Sequence, residues 1–234
     1  MDKAASLYRE AALKFSCRET IHADEGKVLH YEYLYVIAAD GTFHDYRTRV
    51  GSSVEVSPRS IPAKHSLVRA YSWVFLFGRG FWRHVRYRIL GTGQAMGRDT
   101  VLVGFEPIPP LIREINDWIG TAWVEPETGR IVRVEAKAAD DLETLRAAEA
   151  VPAPAGVARQ RFLVRSVTTE FGVEKNGMRL PSQATVEIEV HLVPGRDGRP
   201  SSSRVKARTV QTYKDYRFFG VTAEEKQPPA VSPP

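Results

Sequence analysis

The chain holds a single cysteine, Cys17, among 234 residues. That excludes an intrachain disulfide and any zinc site built on several cysteines. No apolar run approaches the length of a membrane-spanning helix. The opening MDKAASLYREAALKF lacks the apolar core of a secretory signal. No stretch recurs at a period of 20–50 residues, so repeat architectures are excluded. The six histidines (His22, His30, His44, His65, His84 and His191) show no H-E-x-x-H or comparable ligand spacing. No G-x-S-x-G is present. The glycine-rich GTGQAMG at 91–97 follows a strand without opening a helix and lacks the phosphate-loop lysine. It is read as a strand-connecting loop. The sequence therefore predicts no metal, no cofactor and no enzymatic activity.

What remains is ordinary globular material, 43% hydrophobic and 26% charged, with a net charge of +5. A chain of this length buries roughly 70% of its unfolded surface and needs no covalent staples. The basic residues are interleaved with Glu and Asp rather than gathered in one stripe. No nucleic-acid partner is expected.

Alternation of apolar and polar residues dominates the chain. Residues 15–23, 28–38 and 42–50 read as a meander with turns at DEGK and ADGT. Further strands are read at 81–90, 99–107, 161–173, 178–193 and 204–219. In the 178–193 run, Ala184, Val186, Ile188, Val190 and Leu192 alternate with Thr185, Glu187, Glu189 and His191. Such a strand has one face in water. Helical spacing is confined to residues 2–14 and 63–78, with a further helical stretch near DLETLRAAEA inside a surface loop at 138–159. The fold class is mainly β (α+β), about ten antiparallel strands with one or two helices and no βαβ alternation.

The stretch GTAWVEPETGRIVRVEAK at 120–137 reads as a hairpin. Pro126 pre-sets the turn and Gly129 supplies the left-handed residue after it. Glu125 then faces Arg130, Val124 faces Ile131 and Trp123 faces Val132. A cross-strand charge pair such as Glu125–Arg130 contributes roughly 0.2–1 kcal/mol and needs no catalysis to explain it.

The run W-V-E-P-E-T-G-R-I-V-R-V-E resembles a segment of bacterial envelope proteins of the lipoprotein-localisation factor (outer-membrane lipoprotein carrier) superfamily, whose strands run W-I-D-P-x-T-G-R-V-V-R-x-E. FSCRET, YEYLYVI, FHDYRTRV, GMRLPSQATVEIEV and ARTVQTYKDYRFFGV follow in consistent order. The resemblance covers nearly residues 5–221 and implies a curved, half-open antiparallel β-barrel wrapped around helices, a single domain over residues 1–221; by composition, residues 222–234 read as a disordered Pro-rich tail. It also implies an apolar cavity for a lipid or acyl chain, and a periplasmic or secreted address. Without a leader in the sequence, the alternative address is the cytoplasm. Trp73, Phe75, Phe77, Phe81, Trp82 and Trp123 are the expected cavity wall.

Two other groups stand out. Taking the turns at DEGK and ADGT as even-numbered, Glu19 faces Glu32 and Arg49 faces Glu32, with Arg47 beside them. Glu19, Glu32, Arg47 and Arg49 are read as a structural ion network in which Arg49 is the neutralising partner. The same register puts Tyr31, Tyr33 and Tyr35 on the opposite face, away from Cys17 and Glu19. The second group, GRGFWRHVRYR at 78–88, interleaves Arg79, Arg83, Arg86 and Arg88 with aromatic rings, a pattern suited to an anionic membrane surface. Two functions follow. One is a non-enzymatic carrier or sensor of a lipid or acylated lipoprotein. The other is a structural or protein-interaction module whose barrel is filled and whose protein partner is unknown. A continuous cavity above about 300 Å³ marks the first, and a packed interior the second.

Overall fold

A computed structural model gives the fold and describes residues 14–23, 26–37, 43–52, 70–71, 73–77, 82–109, 117–150, 160–193 and 202–219. Its strands are β1 (Lys14–Ala23), β2 (Val28–Ile37), β3 (Phe43–Arg49), β4 (Val85–Ala95), β5 (Arg98–Pro107), β6 (Trp118–Val124), β7 (Ile131–Ala138), β8 (Gln160–Glu170), β9 (Val173–Lys175), β10 (Met178–Leu180), β11 (Gln183–Val193) and β12 (Ser202–Phe218). Two helices are described, α1 (Trp73–Leu76) and α2 (Ala139–Ala150). Ten strands form one antiparallel sheet in the order β3-β2-β1-β12-β11-β8-β7-β6-β5-β4, and β9 and β10 pair separately. The sheet is open, because its end strands β3 and β4 do not pair with each other. The antiparallel pairing is what the alternation predicts, and the open sheet is what the resemblance implies.

The β6–β7 hairpin turns where the sequence places it. Glu125 N–H donates to Arg130 O at 2.9 Å, Gly129 N–H donates to Glu125 O at 2.9 Å, and Gly129 sits at φ +68°. One residue beyond, the register differs. A bulge between Trp123 and Val124 sets Trp123 opposite Arg133 instead of Val132. Ala122, Val124, Val134 and Ala136 are buried, while Trp123 turns to the other face of the sheet.

A larger correction concerns the first meander. Glu19 pairs with Tyr31, Arg18 with Glu32 and Cys17 with Tyr33. On the next strand, Tyr33 pairs with Arg47 and Tyr31 with Arg49. Both registers are one residue away from the sequence reading, because both connections hold an odd number of residues. The first hairpin closes between Ala23 and Lys27, with Gly26 at φ +72°. A one-residue slip moves every side chain to the other face. Tyr31, Tyr33 and Tyr35 therefore join Phe15, Cys17, Glu19, Ile21 and Arg47 on the buried face. Glu32 goes to the outside.

Other boundaries shift too. Most of GTGQAMG is strand: β4 runs through Ala95, and Met96-Gly97, at φ 52° and 73°, make a two-residue turn into β5. The expected strands at 161–173 and 178–193 are broken by the β9–β10 hairpin, whose Asn176-Gly177 turn has both φ values positive. Helix α2 is the helical stretch expected near DLETLRAAEA, begun two residues earlier. Of the helix read at 63–78, the described part is α1, and Lys14, the last residue of the helix read at 2–14, is already in β1. The rest of that N-terminal helix and the tail at 222–234 lie outside the described residues.

The main core is rich in rings. Tyr71, just before α1, packs against Phe15 at 4.7 Å between centroids, Tyr33 at 5.5 Å, Tyr35 at 5.4 Å and Tyr213 at 5.7 Å. Asp215, at φ +58°, bulges β12 against β1, so that Tyr213 and Tyr216, three residues apart, both point inward. Toward the other edge, Trp73 meets Trp118 at 5.7 Å and Phe105 at 6.2 Å, and Phe77 meets Tyr87 at 5.5 Å. Helix α2 forms a second, smaller cluster in which Leu145 packs on Val164 with Leu142 and Phe162.

Candidate functional site

Three places in the fold gather functional groups: the ring-filled concave face, the buried ion pair within it, and the outer face near β4. On the concave face, Cys17 Sγ lies 3.3 Å from Tyr71 Oη, which lies 2.9 Å from Tyr216 Oη. Tyr216 donates to Pro181 O at 2.6 Å. The chain of hydroxyls ends on a backbone carbonyl, not on a base. Burial pushes the Cys17 thiol up to about 12, a shift aided by Glu19 and opposed by the Tyr71 hydrogen bond. A thiol held neutral at physiological pH is no nucleophile. Burial likewise raises the phenols of Tyr33, Tyr71, Tyr213 and Tyr216.

Arg47 and Glu19 form a bidentate pair at 2.6 Å (Nε–Oε2) and 3.1 Å (Nη2–Oε1). Their side chains are 4% and 0% exposed. Arg47 also reaches Asp45 at 2.8 Å and lies 4.6 Å from the Tyr33 ring centroid. Burial opposes its charge, but the adjacent Glu19 carboxylate outweighs that and raises its pKa. Of the four residues read as one network, the structure joins Glu19 and Arg47 and parts them from the others. Glu32 lies outside, 3.4 Å from Arg18, with both side chains about half exposed. Arg49 is exposed beside Tyr31.

A second ion cluster contains the Glu125–Arg130 pair read in the sequence and extends beyond it. Glu125 accepts from Arg179 Nη2 at 2.6 Å, Arg98 Nη1 at 2.9 Å and Thr128 Oγ1 at 2.7 Å, and lies 3.3 Å from Arg130 Nε. Arg130 continues to Glu174 at 2.7 Å. The cluster clasps the 125–130 turn to the β9–β10 hairpin. Burial works against the Glu125 charge, but Thr128, Arg179 and Arg130 hold its carboxyl below the usual range. It is an ionised acceptor with no reacting partner. The advance signal was the cross-strand pair of Glu125 with Arg130; Arg98, Arg179 and Glu174 carried none.

The expected cavity wall divides. Trp73 and Phe77 are buried at 4% each, and Trp73 Nε1 donates to Thr169 Oγ1 at 3.0 Å. They are packed into the core. The side chains of Phe75 and Phe81 lie outside those described. Trp82 is 54% exposed in a turn, where its Nε1 donates to Phe77 O at 3.3 Å. Trp123 is not on this wall at all. The bulge turns it outward, 5.5 Å below the Arg133 guanidinium.

The outer face near β4 carries a shallow cleft of ≈ 180 Å³, lined by Arg86, Arg88, Leu90, Glu106, Ile119 and Thr121 and floored by Gly104. Gly104 keeps the floor low, since a Cβ there would lie 3.2 Å from Leu90 Cδ1 and 3.3 Å from Arg88 Cγ. Arg86 bonds Glu106 at 3.1 Å across the strand pair. Arg83 and Arg88 are exposed, and Arg79 lies outside the described residues. Among the described residues, no group of three or more His, Cys, Asp or Glu is placed to hold a metal, and no helix is long and apolar enough to cross a membrane.

No protein-family model and no curated protein matches the chain. Among solved structures it is similar to a DUF1329 family protein from Desulfovibrio piger, with 13% identity, 92% of this chain and 90% of the other covered, and a TM-score of 0.47. It is also similar to a LolA superfamily protein from Nitrosomonas europaea, with 12% identity, 93% and 94% covered, and a TM-score of 0.41. An outer membrane lipoprotein-sorting protein domain from Vibrio parahaemolyticus follows with 11% identity, 96% and 94% covered, and a TM-score of 0.41. The functional reading below rests on this chain's own geometry.

Proposed function

We propose that this chain is a non-enzymatic binding module of the bacterial cell envelope that engages a protein partner from outside a self-filled half-barrel. The observation that carries this reading is the occupation of the concave face. Phe15, Tyr33 and Tyr35 are each 1% exposed, and Tyr71 stands among them at ring-contact distance. An acyl chain lodged there would have to displace packed rings joined by a hydroxyl chain. The cleft on the outer face, at ≈ 180 Å³, is below the 300 Å³ or so that a ligand pocket of ordinary size occupies. The absence of enzymatic activity is inferred from the Cys17 thiol, held neutral, and from carboxylates that face arginines. The envelope address is supported by the resemblance of the 120–137 hairpin to envelope proteins.

An acyl-carrier function is the second reading, favoured by the ring wall of Trp73, Phe77, Phe105 and Trp118. One paired measurement separates the two. Native mass spectrometry of the purified protein should show no co-purifying lipid, and a fluorescent fatty-acid probe should show no saturable binding. A bound lipid together with micromolar probe binding would replace the module with the carrier.

A further inference from the structure

We propose that β4 is a docking edge onto which an extended segment of another protein, alternating acidic and apolar side chains, adds as a further strand. The proposal rests on the protein-binding reading above and names the site and the chemistry of the partner. Among the described residues β4 pairs with β5 alone, so one side of an eleven-residue strand has no neighbour in the sheet. Exposed edges template strand addition unless they are guarded by Pro, Lys, a bulge or a covering element. The sequence VRYRILGTGQA contains neither Pro nor Lys. Among the described residues its guards are the bulge between Ile89 and Gly91 and the charges of Arg86 and Arg88. That leaves Val85–Ile89 as regular edge.

Alternation along this edge defines the guest. Arg86 and Arg88 project to the outer face, while Tyr87 packs inward and Ile89 is 77% exposed at the rim. Glu106 answers Arg86, whereas Arg83 and Arg88 meet no carboxylate among the described residues. A guest strand thus meets a surplus of positive charge on one face and an apolar rim on the other. Opposite charges across strands are favourable and like charges are not. A second copy of this chain is therefore a poor guest. Antiparallel self-pairing about Tyr87 would set Arg86 against Arg88 of the other copy.

The test uses the full chain and a fluorescein-labelled (Glu-Val)4 peptide followed by anisotropy. Two further peptides carry N-methyl groups on the Glu amides or on the Val amides, each blocking hydrogen bonding along one edge. We expect saturable binding of the parent, at least tenfold weaker binding by Arg88→Glu, and loss of binding for one N-methyl peptide only. Arg88 is exposed, so folding of the variant is checked by circular dichroism alone. Equal binding of all three peptides, no effect of Arg88→Glu, full competition by phosphatidylglycerol vesicles, or a β4-mediated dimer would each overturn the proposal. The fatty-acid probe is run on the same preparation. Probe uptake refutes the module reading itself, whereas probe exclusion with no peptide binding refutes only the edge.

Discussion

Arg47→Met should be the most damaging change at a charged position in this protein. The substitution keeps the aliphatic stem but removes a guanidinium that makes two contacts to Glu19, at 2.6 and 3.1 Å, and one to Asp45 at 2.8 Å. Glu19 is 0% exposed and Asp45 only 11%, so water cannot replace what is lost. Breaking a buried pair by deleting one partner costs about 3–5 kcal/mol. The cation–π contact with Tyr33 adds about 0.5–2 kcal/mol. Domains are stable by about 5–15 kcal/mol, so the variant should lie near the edge of folding. For a chain of this size, a loss of 4 kcal/mol lowers Tm by about 10–15 °C. Urea denaturation at neutral pH measures the loss. Arg49→Met is the control: its side chain is exposed and should cost under about 0.5 kcal/mol. The double variant Glu19→Leu/Arg47→Met should recover most of the stability, because an apolar pair replaces a buried ion pair at little cost. A coupling energy under about 1 kcal/mol, or an Arg49 effect as large as that of Arg47, would refute the strand register on which this reasoning stands.

The Glu125 cluster makes stability depend on acid. Since the folded-state carboxyl lies below its unfolded value, its contribution is present at neutral pH and disappears as pH falls below about 4.3 and through the folded pKa. Glu125→Gln should flatten that limb of a stability-against-pH curve and cost about 1–3 kcal/mol at pH 7; an unchanged acid limb would count against the cluster. Gly120→Ala should cost about 3 kcal/mol or more by thermal melting. Its new Cβ would meet Glu135 O at 2.1 Å and Ala136 Cα at 2.9 Å, both backbone atoms that cannot turn aside. A Tm within a degree or two of the parent protein would show that β6 and β7 lie farther apart.

The fold class was open to sequence reading because antiparallel strands with one wet face write their period directly into the chain. The run from Ala184 to Leu192 alternates without interruption, and on its polar face Glu187 lies 3.4 Å from Arg208. The β6–β7 turn was equally readable, since Pro126 and Gly129 fix its geometry locally. Bulges were not. The slip at Trp123 and the left-handed Asp215 change which side chains share a face, yet each involves one residue whose conformation is decided by the neighbouring strand. Ion pairs followed the register. Choosing between Arg47 and Arg49 as the partner of Glu19 required knowing whether a loop held an odd or an even number of residues.

That parity also bears on the proposed function. With even loops, β2 would turn Tyr31, Tyr33 and Tyr35 outward and put His30, Glu32, Leu34 and Val36 on the concave side in their place. Odd loops bring the three tyrosines inside, where they are 6%, 1% and 1% exposed. Each buried ring removes about 150–250 Å² of surface from water. The rings that fill the concave side also stabilise the sheet, so a guest that pushed them out would destabilise its own host. A filled interior leaves the sheet's edge and outer face as the surfaces where binding costs no core. On this sheet the longer unpaired edge is β4, with eleven residues against seven in β3. It is also the edge where Arg83 and Arg88 carry charge that nothing among the described residues neutralises.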